Sequence, residues 1–152
     1  CKKIAPAAPD VRFHIVGSQP GQRLQALASE RIKVVGTVPD VRPYLRHAAL
    51  AVAPMHISRG IPNKILEAMS MGKAVVAHGA CAAAVDAEAG RDYLVADHAE
   101  AFIAAITACL NDPEHRAQLG KAARSRMLAH YEWQTNLSRI DTYLGQPTKD
   151  IQ

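Results

Sequence analysis

Residues 50–77 read LAVAPMHISRGIPNKILEAMSMGKAVVA, and the succession of residue types in this run decides the fold. Leu50–Ala53 is a short apolar strand ended by Pro54, and Ala74–Ala77 is a second one. Between them a loop, Met55–Ile61, opens a helix over Pro62–Met71, with Gly72 as its natural stop. Strand, helix and strand in that order form a βαβ unit, the building block of a parallel sheet.

The same alternation extends on both sides. Upstream, Val11–Val16 reads as a strand closed by Gly17, and Ser18–Gly21 leads into a helix near Gln22–Glu30. Ile32–Val35 is a strand closed by Gly36; Asp40 is a candidate N-cap for a helix that holds Pro43 in its first turn and runs to His47. Downstream, Tyr93–Ala96 supplies a fifth strand. Beyond it the pattern is purely helical: His98–Leu110, Pro113–His130 and Glu132–Leu144, the last with a Trp133/Leu137/Ile140/Leu144 stripe. Five strands alternating with helices predict an α/β, Rossmann-like, three-layer domain: a five-stranded parallel sheet with helices on both faces and a helical C-terminus. No repeat or linker divides the chain, so one domain is expected over 1–145, with 146–152 as a disordered tail.

Composition agrees with this class and narrows the partners. A chain of 152 residues that is 49% hydrophobic and only 5% aromatic suits helices packed on a buried sheet. The net charge is +4, but the basic residues (Arg12, Arg23, Arg42, Arg59, Lys73, Arg124) are scattered, which argues against a nucleic-acid footprint. Cys1, Cys81 and Cys109 form neither a disulfide framework nor a CxxC pair. The seven histidines show no metal-ligand spacing, GSQPG at Gly17 is not a dinucleotide fingerprint, and no GxSxG elbow is present. No apolar run reaches membrane-spanning length. The absence of an initiating methionine reads as a fragment of a longer chain.

The run Met55–Met69 carries the chemistry. With Pro62 as the first helical residue, Ile61 becomes the N-cap, and it has no side-chain oxygen. Unless Ser58 folds back to cap it, the helix would then begin with free backbone N–H groups, flanked by Arg59, Gly60 and Lys64 at the positive pole of its dipole. An anion such as a diphosphate would make each of these features complementary. Asn63, Lys64, Glu67 and Ser70 share one arc of the helix, while Ile65, Leu66 and Met69 face the sheet. Glu67 suits a ribose diol, but spacing alone leaves a surface pair with Lys64 equally open.

The pieces FHIVG, VVGTVPDVRPYL, ALAVAP, RGIPNKILEAMSMGKAVVA, DYLVAD and HYEW resemble the C-terminal domain of family 4 glycosyltransferases. These enzymes have the GT-B architecture of two facing Rossmann-like domains, and the resemblance runs from Phe13 to Tyr143. The RGxxNKxLEAM form looks most like bacterial sugar transferases tied to exopolysaccharide and exosortase systems. The resemblance implies transfer of a sugar from a nucleotide-diphosphate-sugar donor with retention, without a metal or other cofactor. The partners it implies are that donor, the N-terminal acceptor domain of the same protein and a glycan or lipid-linked acceptor. It further implies a cytoplasmic enzyme, with room for peripheral association at the inner face of the membrane.

Residue by residue, the resemblance gives Glu67 the ribose and the backbone around Thr37 and Val38 the base. It sets Gly60, Ile61, Asn63 and Lys64 against the diphosphate and sugar, and stabilising the departing diphosphate makes Arg59 and Lys64 the catalytic candidates. Arg59 stands eight positions before Glu67, where the family usually has its first glutamate; a guanidinium cannot accept a hydrogen bond from a sugar hydroxyl, so phosphate or an acidic donor group suits it better. The family's first strand of this domain should precede Cys1, and without it Val11–Val16 and Leu50–Ala53 would pair directly. That gives the order 2-1-3-4-5, with Gly17 and Arg59–Asn63 at the mouth of the switch point. Lacking the acceptor domain, the fragment should not turn over. An epimerase or phosphorylase of GT-B type and a non-catalytic flavodoxin-like or regulatory domain remain as alternatives. A receiver domain fails, because its acidic strand ends are here Gly17-Ser18 and Pro54-Met55.

Overall fold

The computed structural model describes residues 4, 8, 10–56, 60 and 62–131. Five strands alternate with helices in the order β1 (Phe13–Val16), α1 (Gln22–Gln25), β2 (Ile32–Gly36), α2 (Arg42–His47), β3 (Leu50–Ala53), α3 (Asn63–Ser70), β4 (Ala74–Ala77), α4 (Gly79–Ala82), β5 (Leu94–Val95), α5 (Ala99–Asn111) and α6 (Pro113–His130). All pairing between named strands is parallel. The expected helix Glu132–Leu144 and the tail lie outside the described residues.

The strands form two sheets, β1-β2 and β3-β4-β5. This corrects the expected direct pairing of β1 with β3: among the described residues no ladder joins them. The physical reason lies in burial. No described residue before Ala53 is buried, so there is no shared core to draw β1 against β3.

The core belongs to the second sheet. Successive side chains of β4 point to opposite faces, and all four of its residues are buried. Val75 and Ala77 pack with Ile65, Ala68 and Met69 of α3 and with Ala123 and Met127 of α6. Ala74 packs on the other face with Cys109 of α5 and Leu119 of α6. Helices thus cover both faces of this sheet. Ile65 and Met69, at 0% exposure, are each worth about 1.5–3 kcal/mol of burial.

Two glycines make that packing reachable. Gly72 (φ +66°) ends α3 in a Schellman turn: its N–H donates to the Met69 carbonyl at 2.9 Å, and Lys73 N–H donates to that of Ala68 at 3.0 Å. Gly120 of α6 sits on this turn so closely that a Cβ there would fall 2.2 Å from the Gly72 carbonyl oxygen. Arg124, one turn further on, donates to the Ser70 carbonyl.

Three local expectations need correction. Helix α1 stops at Gln25 and does not reach Glu30, because Ser29 and Ile32 close a backbone turn that the Ser29 hydroxyl reinforces at 3.2 Å. Helix α2 has Val41 as its N-cap; Asp40 still caps from one residue back, accepting from Arg42 N–H at 2.9 Å. Helix α3 begins at Asn63 with Pro62 as its cap residue, one step later than expected, since Pro62 keeps an extended ψ of 94°.

Candidate functional site

In a parallel α/β layer the site-forming loops lie at the carboxyl ends of the strands. Here that rim carries Gly17 after β1, Thr37 and Val38 after β2, the start of α3 after β3, and His78 after β4. Gly17 N–H donates to the Gly36 carbonyl at 2.9 Å, which ties the ends of β1 and β2 together.

At the start of α3 the cap residue is Pro62, which offers no side-chain oxygen either, while Ser58, the other candidate cap, lies outside the described residues. The Pro62 carbonyl accepts from Ile65 N–H at 2.9 Å and Leu66 N–H at 3.4 Å. Among the described residues nothing accepts from the Asn63 and Lys64 amides, and no acidic residue occupies the first turn. The Lys64 ammonium lies 3.7 Å from the point where a Cβ on Gly17 would stand, within ordinary contact distance of that glycine. Two candidates distant in sequence, Gly17 and Lys64, are thereby brought side by side.

One turn into the helix, Glu67 is exposed, and among the described residues it forms no ion pair with Lys64. It faces a cleft of about 490 Å³ between the start of α2 and the outer face of α3. Asn63, Leu66, Glu67 and Ser70 form one wall, and Pro39, Asp40, Val41 and Arg42 the other. Thr37 (exposed) and Val38 (half-buried) precede that wall without lining it. Gly60, exposed with φ +80°, lies in the preceding loop, where a residue with a Cβ would be strained. Arg59 and Ile61 lie outside the described residues.

Asp40 and Arg42 on the cleft wall pair through the Arg42 Nε at 2.9 and 3.1 Å. The Arg42 side chain and its amide hold the Asp40 carboxyl below the ordinary carboxylate range, and Asp40 in return raises the Arg42 guanidinium. Asp40 is therefore a fixed acceptor on this wall. Sequence reasoning gave it a capping role alone; the signal for more was its position just past the loop after β2.

A second concavity, of about 340 Å³, lies by α6 and is lined by Arg91, Asp92, Arg126 and His130 among others. Its charges serve one another. Asp92, at 0% exposure, accepts from Glu88 N–H at 2.9 Å and Arg91 Nε at 3.0 Å, and Asp86 pairs with Arg126 at 2.5 Å and His130 at 2.9 Å. Among the described residues no three His, Cys, Asp or Glu side chains are set to hold a metal ion, and no helix is long and apolar enough to cross a membrane.

A parallel α/β layer of this kind, with loops, a cation and the neighbouring α2–α3 cleft gathered at its carboxyl rim, belongs to the Rossmann-like class of domains. Residues 1–112 match the family described as glycosyl transferases group 1, and the chain belongs to that family. No curated protein matches the chain in sequence. Among solved structures, the chain is similar to Anabaena Alr3699/HepE in complex with UDP, at 22% identity and a TM-score of 0.79 over 94% of this chain and 43% of that one. It is also similar to S. aureus TarM (18% identity, TM-score 0.76, 95% and 31% covered). A third is sucrose-phosphate synthase from Thermosynechococcus elongatus (23%, 0.75, 94% and 41%). These likenesses establish the Rossmann-like fold of a GT-B glycosyltransferase. The chain spans less than half the length of each of these proteins.

Proposed function

We propose that this chain is the donor-binding domain of a glycosyltransferase that moves a sugar from a nucleotide-diphosphate-sugar to a glycan or lipid-linked acceptor, with retention. The observation that carries this reading is the start of α3: two amides without partners among the described residues, the Lys64 ammonium against Gly17, and Glu67 one turn further on. An anion there meets free N–H groups, the positive pole of the helix dipole and a cation together. Anabaena Alr3699/HepE, which has a similar fold, is solved both with UDP and with UDP-glucose, which supports the same ligand class.

In this reading the diphosphate takes the amides of Asn63 and Lys64, and Gly17 and Gly60 let backbone and phosphate approach. The ribose reaches Glu67, and the base enters beside the backbone of Thr37 and Val38 and the cleft wall that follows. During transfer the bond between the sugar's anomeric carbon and the diphosphate oxygen breaks, and its electron pair leaves on the diphosphate. Lys64 stabilises that charge, with Arg59 and Ile61 in the preceding loop completing the contacts. The acceptor is supplied by the N-terminal domain of the full-length enzyme, so this part alone binds donor without turning it over. The bacterial exopolysaccharide assignment, the cytoplasmic location and association with the inner membrane face belong to the same proposal.

The test is a thermal-shift panel of UDP, GDP, ADP and dTDP with the wild-type chain and a Lys64→Ala variant. At least one diphosphate should stabilise the wild type and lose most of its effect in the variant. If none of the four raises the wild-type melting temperature, the donor-site reading fails.

A further inference from the structure

The carboxyl ends of β3, β4 and β5 bring together three polar side chains that the donor reading leaves unused: His56, His78 and Asp97. The rings of His56 and His78 meet edge to face, with centroids 4.2 Å apart and planes at 61°. His78 Nδ1 accepts from Ala80 N–H at 3.2 Å and so caps α4. Asp97 Oδ1 accepts from Gly79 N–H at 2.9 Å and stands 3.7 Å from His78 Nδ1. A Cβ on Gly79 would fall 2.9 Å from that oxygen, so a larger residue there would displace the carboxylate.

The hydrogen bonds fix what the cluster can offer. With Nδ1 accepting from Ala80, His78 has Nε2 as the ring nitrogen left to meet a ligand. Asp97 keeps its second oxygen free of any hydrogen bond among the described residues, and neither nitrogen of the exposed His56 ring has a hydrogen-bond partner among them. Imidazole nitrogens that donate or accept, beside a carboxylate that only accepts, match hydroxyl groups, which do both. They do not match phosphate, which the carboxylate repels.

The rim is therefore divided by chemistry. The start of α3 offers a cation and bare amides; the ends of β3–β5 offer imidazoles and a carboxylate. A nucleotide-sugar is a linear ligand in which the diphosphate separates ribose from sugar. With ribose at Glu67 and diphosphate at the first turn of α3, the sugar continues away from the α2–α3 cleft, toward the strand ends on the other side. We propose that His56, His78 and Asp97 form the subsite that binds the hydroxyl groups of the transferred sugar. This rests on the donor reading above and adds the residues that recognise its glycosyl part.

The experiment measures, by titration calorimetry on this chain, UDP against UDP-glucose and GDP against GDP-mannose. In the wild type at least one sugar-bearing ligand should bind more tightly than its parent diphosphate. His56→Ala and Asp97→Asn should each weaken that ligand by about tenfold, the range for a hydrogen bond to a charged or strongly polar group, while leaving the diphosphate within twofold. The amide oxygen that Asp97→Asn introduces can still accept from Gly79 N–H, and His78→Asn can still cap α4, so these variants should melt close to the wild type and show the same selective loss. Equal losses for diphosphate and sugar-bearing ligand, or no loss for either, would overturn the subsite. So would a wild type whose diphosphate affinity gains nothing from the sugar. Failure of both diphosphates to bind the wild type would instead contradict the donor reading, and the subsite with it.

Discussion

Residues 10–48 and residues 50–131 follow the same strand–helix grammar and are held by different forces. In the first region β1, β2, α1 and α2 contain no buried residue, and Leu24 and Leu27 stand 41% and 50% exposed. In the second, β4 is buried along its whole length and packs with α3, α5 and α6. Ladder hydrogen bonds hold β1 to β2, and α2 links the first region to the second by packing Leu45 against the core. Lys73 adds a polar tie to the end of α2: its ammonium donates to the Arg46 and Ala48 carbonyls at 2.9 Å each, and burial, more than the nearby Arg116, pushes its pKa down. The cleft thus sits between a packed block, which carries Asn63, Lys64 and Glu67, and a lightly held flank, which carries Gly17, Thr37 and Asp40. Ligand that touches both adds contacts that the fold itself lacks.

This contrast can be broken by mutation, starting where effects are largest. Asp92→Leu removes a fully buried carboxylate with backbone and guanidinium partners, and should cost roughly 3–5 kcal/mol in urea unfolding. Met69→Ala in α3 should cost about 2–5 kcal/mol. Val34→Ala in half-buried β2 should cost about 1 kcal/mol or less, because little apolar area leaves water there. Equal costs for Met69 and Val34 would show that the two regions share one cohesive core. Hydrogen exchange should give β1 and β2 amides far less protection than those of β4.

The smallest effect is a matter of pH. The folded-state pKa of Asp40 is lowered, chiefly by its side-chain hydrogen bond with Arg42, so its contribution is present above the ordinary carboxylate range and is lost as acid protonates it. An Asp40→Asn variant should accordingly show a slightly flatter acid limb in its melting temperature. An unchanged limb would mean that the pair adds nothing to the flank.

Much of this was legible in the sequence for a physical reason. The start of α6 is marked by Pro113 behind the capping Asp112, and the end of α3 by Gly72, so local chemistry fixed them. The arc of Asn63, Lys64, Glu67 and Ser70 was readable because helical periodicity separates it from buried Ile65 and Met69. Long-range facts were not. Nothing local says that β1 and β3 stay apart, that a Lys64 side chain comes to rest beside Gly17, or that Asp97 reaches Gly79. Helix α4 was missed because GACA has four residues and no periodicity to read. The one available hint was a histidine directly after a buried strand.

The central claim is that the start of α3 binds a nucleoside diphosphate with its ribose on Glu67. Calorimetry of the best-binding diphosphate against the wild type and Glu67→Ala, with melting curves for both, tests it most directly. The account predicts a loss of about 1–3 kcal/mol in binding, the range for hydrogen bonds to a charged group. It also predicts an unchanged melting temperature, because Glu67 is exposed and unpaired with Lys64. Equal affinity in both proteins, together with a lower melting temperature in the variant, would make Glu67 a structural residue and contradict the claim.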